Sequence, residues 1–256
     1  MKTITFPVGY RPDYLKKFLG YLKTYDLSDY TIVCSVEACQ PCIDILNNNK
    51  DLPITALLKK NSSGTKSHSG ARDNMYNVLN YAFSVLKTDF NVHLEDDFLL
   101  APDVFDLANW YYETFKDKPM TYVSYGLFNH ESRGNDYAAT ESITTFEGLG
   151  WCAFKEGWDI CFDKYWYNDV YARKYFKAYG WDWAMSGAYK EFGFRGIRPL
   201  IARTNHDGRH GGTCCTPAHH DKHYSKLCWN KTEVIKEFKL PNEPDRDESK
   251  VIGAIM

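Results

Sequence analysis

Residues 91–100 read NVHLEDDFLL, an apolar run that ends in Glu95, Asp96 and Asp97 and resumes at once with Phe98, Leu99 and Leu100. Adjacent carboxylates repel one another and raise one another's pKa. A strand that presents three of them in a cleft therefore implies a cation. Mg²⁺ and Mn²⁺ take oxygen ligands, often one or two carboxylates together with substrate phosphates. The segment is read as a metal-and-diphosphate site at the carboxyl end of a buried strand. The plainer alternative is a solvated acidic turn between that strand and a helix opened by Pro102.

Upstream of this segment, strand and helix patterns alternate. TITFPV (3–8) is β-rich, and Gly9, Tyr10, Arg11 and Pro12 break it. Tyr14, Leu15, Phe18, Leu19 and Leu22 then recur at helical spacing. YTIVCSV (30–36) predicts a second strand ending at Glu37, with a short helix over 41–46 and a third strand over 53–58. NSSGTKSHS (61–69) reads as a polar loop, 70–86 as a long amphipathic helix and 90–94 as the fourth strand. This rhythm predicts a mainly parallel sheet flanked by helices, in which ligands bind beyond the carboxyl ends of the strands. Arg11, Glu37 and Glu95, Asp96 and Asp97 then share one rim.

Downstream the pattern is less regular. It predicts a helix over 103–115, strands over 121–125 and 196–203, and an exposed loop over 129–140. The stretch 204–222 is rich in His, Gly and Cys, and the tail from Pro241 is charged. With no repeat or long linker, one α/β domain over 1–240 is expected. Its two halves are expected over 1–100 and 101–240, with 241–256 as a C-terminal tail.

The chain of 256 residues is 44% hydrophobic and 25% charged, an ordinary globular balance. A net charge of -2 gives no global basic field for nucleic acid or an anionic membrane. The 19 Tyr and 7 Trp tilt towards a sugar cleft, although such residues also fill plain cores. No apolar run reaches transmembrane length and the N-terminus reads as a strand, so a soluble, cytoplasmic protein is expected. Eight cysteines are expected as free thiols. Cys39 and Cys42 have CxxC spacing, and Cys214 and Cys215 would complete a four-thiolate zinc site, but a second CxxC is missing.

Several segments together resemble one family. RPDYLKKFLGYL (11–22), LEDDFLLAPDVFD (94–106), TTFEGLGWCAFKEGWD (144–159), KAYGWDWAM (177–185) and RPLIARTNHDGRHG (198–211) occur in the order found in GT-A nucleotide-sugar glycosyltransferases, in particular the N-acetylglucosaminyltransferase I type. The resemblance implies a Rossmann-like GT-A fold and a nucleotide-sugar donor, with Mn²⁺ or Mg²⁺ as cofactor. It also implies that 1–100 is the nucleotide-binding half and 101–240 the acceptor-binding half. It implies that Asp97 binds the metal bridging the diphosphate, and that Glu95 and Asp96 face the donor sugar and ribose. Arg11 falls near the diphosphate, Glu37 near the nucleoside and Asp73 near the base. Leu149 and Trp151 fall in the wall under the sugars, Asp182 at the general base, and 208–212 in a loop closing over the nucleotide. One departure is that the family's Trp-Asp-Asp-Trp is here Trp181-Asp182-Trp183. Another is the lack of the membrane anchor carried by many members, which suits a bacterial, phage or viral protein.

The implied reaction is transfer of a sugar, from a UDP-sugar first of all, to a hydroxyl of a glycan or other acceptor. The metal would stabilise the leaving diphosphate, and Asp182 would take the hydroxyl proton. Two flanking indoles are expected to hold Asp182 in a dry setting that raises its pKa; the alternative is an acid favouring the dipole in a helix's first turn. A single base opposite the leaving group predicts inversion. His206 and His210 are candidate late metal ligands, against a polar loop that merely contains histidines, and His219, His220 and His223 are expected to be exposed. Glu147 is read as a surface carboxylate or a ligand for acceptor hydroxyls, and Lys66 and His68 as solvated loop residues or phosphate contacts. Two other functions compete: glycosylation of a hydroxylated base in phage DNA, and a non-catalytic carbohydrate-binding protein of the same fold. A nucleotidyltransferase fits less well, because VGYRPD after the first strand holds a single Gly.

Overall fold

Every residue of β1 (Lys2–Val8) after the first is buried, as a strand covered on both faces of a parallel sheet must be. The computed structural model describes residues 1–58, 68–210 and 215–241. These divide into two compact units, Met1–Leu100 with Thr204–Leu227, and Ala101–Arg203 with Cys228–Met256. Of the loop expected over 61–69, residues 61–67, with Lys66, lie outside the described residues, whereas His68 and Ser69, read as loop, begin a helix. Gly211, Gly212, Cys214 and the tail from 242 also lie outside the described residues.

In the first unit β1 leads through α1 (Pro12–Leu22) to β2 (Tyr30–Val36), α2 (Gln40–Asn48) and β3 (Ile54–Leu58). Then come α3 (His68–Asn80), a π-helical turn over Tyr81–Val85, β4 (Phe90–His93) and β5 (Phe98–Leu100). The strands run in the order β3-β2-β1-β4, all parallel, giving the alternating, helix-flanked, Rossmann-like α/β architecture that the sequence predicts. Pro12 starts α1, where its missing N–H costs nothing and its fixed φ suits a first turn. Leu15, Phe18, Leu19 and Leu22 are buried, and Phe18 meets Phe6 edge-on at 5.1 Å.

Pro7 lies inside a central strand, where proline is rarely tolerated. The register explains it. β4 pairs with β1 only from Lys2 to Thr5, and alternate residues of β1 bond to opposite neighbours: Val8 O accepts from Glu37, Thr5 O from Leu94. The N–H that Pro7 lacks would point beyond the end of the β4 ladder.

The other face of β1 and β4 is polar yet buried. Asn91 accepts from Thr3 Oγ1 at 2.7 Å and donates to Thr5 Oγ1 at 2.9 Å, and Thr5 Oγ1 lies 3.0 Å from His93 Nδ1. Asn74 of α3 donates to Val8 O at 3.2 Å and accepts from Ser35 at 2.5 Å. Burial pushes the His93 imidazole down to about 3.

The second unit contains α4 (Val104–Phe115), β6 (Ser124–Gly126), β7 (Thr140–Ile143) and β8 (Trp151–Phe154). It continues through α5 (Lys155–Gly157), a π-helical turn over Trp158–Phe162, α6 (Asp163–Tyr165), α7 (Val170–Phe176), α8 (Trp181–Phe192) and β9 (Gly196–Pro199). Its strands are mixed: β6 is antiparallel to β8 and parallel to β9, and β7 is antiparallel to β9. Helices α7 and α8 approach closely at Gly187, where a Cβ would lie 2.6 Å from the backbone nitrogen of Ala172.

The chain then returns to the first unit through β10 (Thr204–His206), antiparallel to β5, and α9 (Pro217–His223). The late strand predicted over 196–203 thus forms only over its first half, 196–199. Pro199 ends β9, and Arg203 turns inward, fully buried, to bond Asp103 at 2.9 Å and the carbonyls of Ile201 and Tyr137. Among the described residues no helix is long and apolar enough to cross a membrane.

Two outcomes are expected. Gly187→Val forces α7 and α8 apart and costs about 1–3 kcal/mol in denaturant unfolding. His93 must stay neutral in the fold but protonates when unfolded, so the unfolded state binds the extra proton between pH 6.5 and about 3. Stability contributed by its neutral form is complete above pH 6.5 and falls on acidification, by up to about 1.4 kcal/mol per pH unit. His93→Gln should flatten that slope in urea unfolding measured from pH 7 to 4.

Candidate functional site

The acidic triplet lies just past β4, and the first unit folds three other segments onto it. The turn between β1 and α1 supplies Gly9 and Arg11; Arg11 occupies the N-cap position of α1, at the carboxyl end of β1. Gly9 N–H donates to Asp96 Oδ2 at 3.0 Å, and Arg11 Nη2 to Asp96 Oδ1 at 2.5 Å. Arg11 Nη1 donates to Asp97 Oδ2. The returning β10 supplies His206, whose Nε2 lies 3.3 Å from the same Asp97 oxygen. Behind it, Asp207 N–H donates to Asp97 O at 2.8 Å. Gly208 completes the enclosure: a Cβ there would overlap Asp97 Oδ2 and lie 2.5 Å from His206 Cε1, so any side chain would displace both groups.

The cation that the three acids demand is therefore in part provided by the chain, as the Arg11 guanidinium. Burial works against that charge, but Asp96, Asp97 and Glu95 outweigh it and raise the Arg11 pKa. Asp96 is 1% exposed, and burial pushes its carboxyl up to about 6 against the opposing pull of Arg11. At neutral pH it is ionised and paired. Burial lowers the His206 pKa, with Asp97 opposing, which favours the neutral imidazole, the form that ligates metals.

No group of three or more His, Cys, Asp or Glu able to hold a metal forms among the described residues. What does form is a pair. Asp97 Oδ1 and His206 Nδ1 are both buried without a hydrogen-bond partner, which is costly unless something else satisfies them. The atoms of the pair that face each other are Asp97 Oδ2 and His206 Nε2. The carboxylate fits a divalent ion that takes its other ligands from water and a diphosphate, as Mg²⁺ does, and the imidazole would add a nitrogen donor.

Glu37 caps β2 at the same edge, 7% exposed, with its N–H bonded to Val8 O at 3.0 Å. Asp73 is half-buried on α3, next to the Asn74 that bonds Val8. Glu95 is also half-buried. Cys42 donates to Gly9 O at 3.3 Å, so the CxxC braces the Gly9 turn, and Cys39 and Cys42 are free thiols. His220, expected to be exposed, is instead buried and donates through Nε2 to His206 O at 2.9 Å, while His210 and His219 are exposed.

In the second unit three expectations meet a different environment. Asp182 lies in the first turn of α8, as the helix-dipole reading predicts, and is exposed. The expected dry setting is absent because each indole has a partner of its own: Trp181 stacks on Trp166 at 4.8 Å, and Trp183 packs against Phe176 at 5.2 Å. Gly180, at φ +125°, precedes the helix, and a Cβ there would press on Asp182 Oδ1 at 2.9 Å. Trp151 is fully buried and stacked on Phe162 at 4.5 Å, so it offers a sugar no face, whereas Leu149 is half-exposed.

Glu147 is 7% exposed rather than on the surface. It accepts from Arg198, which also binds Glu131 at 2.6 Å and Glu141 at 2.9 Å. The residues of this network are remote in sequence, so no local pattern signals it. Gly208 was legible only as part of a loop; its role is fixed by contacts that cross the chain.

The fold recurs in solved structures. Residues 1–349 of S. aureus TarS match with a TM-score of 0.51 at 9% identity, over 79% of this chain and 59% of that one. The same fragment in complex with UDP matches with a TM-score of 0.50 at 9% identity, over 79% and 59%. The mannosyltransferase PcManGT from Pyrobaculum calidifontis, in complex with GDP-Man and Mn²⁺, is 15% identical with a TM-score of 0.45, over 77% and 54%. This chain thus spans little more than half the length of those chains, and at such identities the likeness concerns the fold alone. No protein-family model matches the chain, and no curated protein matches it in sequence.

Removing the resident counter-ion should be expensive. Arg11→Met leaves two buried carboxylates unpaired and is expected to cost about 3–5 kcal/mol at pH 7. Because unpaired buried carboxylates hold their protons more tightly, the deficit should shrink at pH 5. Chemical denaturation at both pH values checks the size and the direction.

Proposed function

We propose that this chain is a metal-dependent glycosyltransferase of the GT-A type that moves a sugar from a nucleotide diphosphate sugar, UDP-linked in the first instance, to a hydroxyl acceptor. The observation that carries the reading is the convergence of Arg11, Asp96, Asp97, His206 and Gly208 at the carboxyl edge of a parallel sheet. Ligands of such sheets bind at that edge. A solved protein that shares the fold holds UDP.

In this reading Asp97 and His206 hold a divalent cation, Mn²⁺ or Mg²⁺. When bound, the ion supplies Lewis-acid stabilisation of the charge that develops on the leaving diphosphate. Arg11 adds a fixed positive charge for the same oxygens. Both oxygens of Asp96 are engaged by Gly9 and Arg11, so it acts by positioning Arg11. Glu37 and Asp73 contact the nucleoside, Glu95 the donor sugar, and Leu149 lines the sugar wall with Trp151 packed behind it. Asp182 accepts the proton of the attacking hydroxyl as its oxygen bonds to the anomeric carbon and the bond to diphosphate breaks, with inversion. Its exposure leaves the carboxylate reachable by an acceptor.

The test is calorimetry of UDP with and without Mn²⁺, followed by mass spectrometry of transfer from a UDP-sugar panel. Uptake of UDP should require the metal and weaken at least tenfold in Asp97→Asn. Asp182→Asn should bind UDP as the unaltered protein does and lose transfer by about 10²–10⁴-fold. Equal UDP affinity in EDTA contradicts the metal role, and full transfer by Asp182→Asn removes the assigned base.

A further inference from the structure

The second unit carries an open cleft of about 480 Å³, lined by residues from α6, α7 and the segments that follow each. It falls within the range of about 300–1,000 Å³ typical of small-ligand sites. We propose that it is a saccharide-binding subsite that holds a neutral stretch of the acceptor glycan.

Two tyrosines line the cleft: Tyr167 is 51% exposed and Tyr179 71% exposed. Exposing two large rings on one cleft wastes apolar surface unless a ligand covers them, and an aromatic face with a polar edge suits a sugar ring. The rest of the lining is charged but balanced, with Asp163 and Asp169 against Lys164 and Arg173. A phosphate-bearing ligand would meet two carboxylates and a basic peptide two cations. A neutral polyol can donate to the former and accept from the latter.

The segments that carry these rings are tied to the packing beneath them. Tyr167 follows Trp166, which is fully buried and stacked on Trp181. Tyr179 stands in the turn between α7 and α8, bracketed by Lys177 at φ +53° and Gly180 at φ +125°. Below the turn, Gly187 lets the two helices close on each other. Arg173 lies 5.9 Å from the Tyr179 ring centroid. Asp182 follows Tyr179 by three residues at the start of α8, although it does not itself line the cleft.

For its purpose the subsite rests on the sugar-transfer reading, but its binding is measured separately. The full chain and the Tyr179→Ala and Tyr167→Ala variants are applied to a printed glycan array, with binding constants for the strongest saccharide determined by calorimetry. UDP binding with Mn²⁺ is recorded on the same samples. The expected result is binding of at least one uncharged oligosaccharide, weakened five- to twentyfold in each variant, with UDP affinity and Tm unchanged. Absence of binding to any uncharged glycan overturns the proposal, as does undiminished binding by both variants. A preference for sulfated or phosphorylated glycans overturns the neutral-ligand assignment. Glycan binding lost in the variants without any UDP uptake would sustain the subsite while contradicting the transferase.

Discussion

Two neighbouring carboxylates, Asp96 and Asp97, are buried almost completely at the end of β4, and the first unit is arranged around making that tolerable. Isolated charges so far from water cost several kcal/mol each. Here the charge is met by Arg11, by the Gly9 N–H and by the facing His206. Each partner fixes a piece of backbone. Gly9 and Arg11 define the turn from β1 into α1. His206 and Asp207 require β10 to return beside β5, which is why a segment about a hundred residues downstream completes this unit. Gly208, having no side chain, lets that return come close without displacing Asp97 or His206. This arrangement leaves Asp97 Oδ1 and His206 Nδ1 buried without hydrogen-bond partners, and in the proposed reading the spare Asp97 oxygen would serve a further cation.

The parallel half of the fold was legible because its signals are local. Alternating strand and helix periods, Pro12 at the head of α1 and the polar breaks at strand ends translate into the parallel, helix-flanked sheet, though not into its strand order β3-β2-β1-β4. The same logic put Arg11, Glu37 and the triplet at one edge. The Arg11 pairing was not legible, because repulsion among the acids implies a positive partner without saying whether it is an ion or a side chain. His206 was legible as a candidate only, since its approach to Asp97 depends on the β5–β10 pairing. The mixed strands of the second unit, the early end of the late strand at Pro199 and the inward turn of Arg203, and the Glu147–Arg198 cluster all depend on contacts between distant residues. The indoles flanking Asp182 misled for a related reason: neighbours along a helix do not face each other. Each ring found its own aromatic partner and left the carboxylate in water.

The two units contribute different physics. The first offers a dry, ionic cluster suited to charged phosphates. The second offers exposed tyrosines and balanced charge beside α6 and α7, the surface proposed for neutral hydroxyls. In the proposed reading the first surface would take the anionic donor and the second the uncharged acceptor.

The central claim is that a divalent cation joins Asp97 and His206 beside the Arg11 counter-ion. Electron paramagnetic resonance of Mn²⁺ with the protein and UDP tests it most directly. The account predicts hyperfine coupling to phosphorus and to a single histidine nitrogen, the latter lost in His206→Ala. A spectrum of fully hydrated Mn²⁺ in the presence of protein and UDP, unchanged by that substitution, would contradict it.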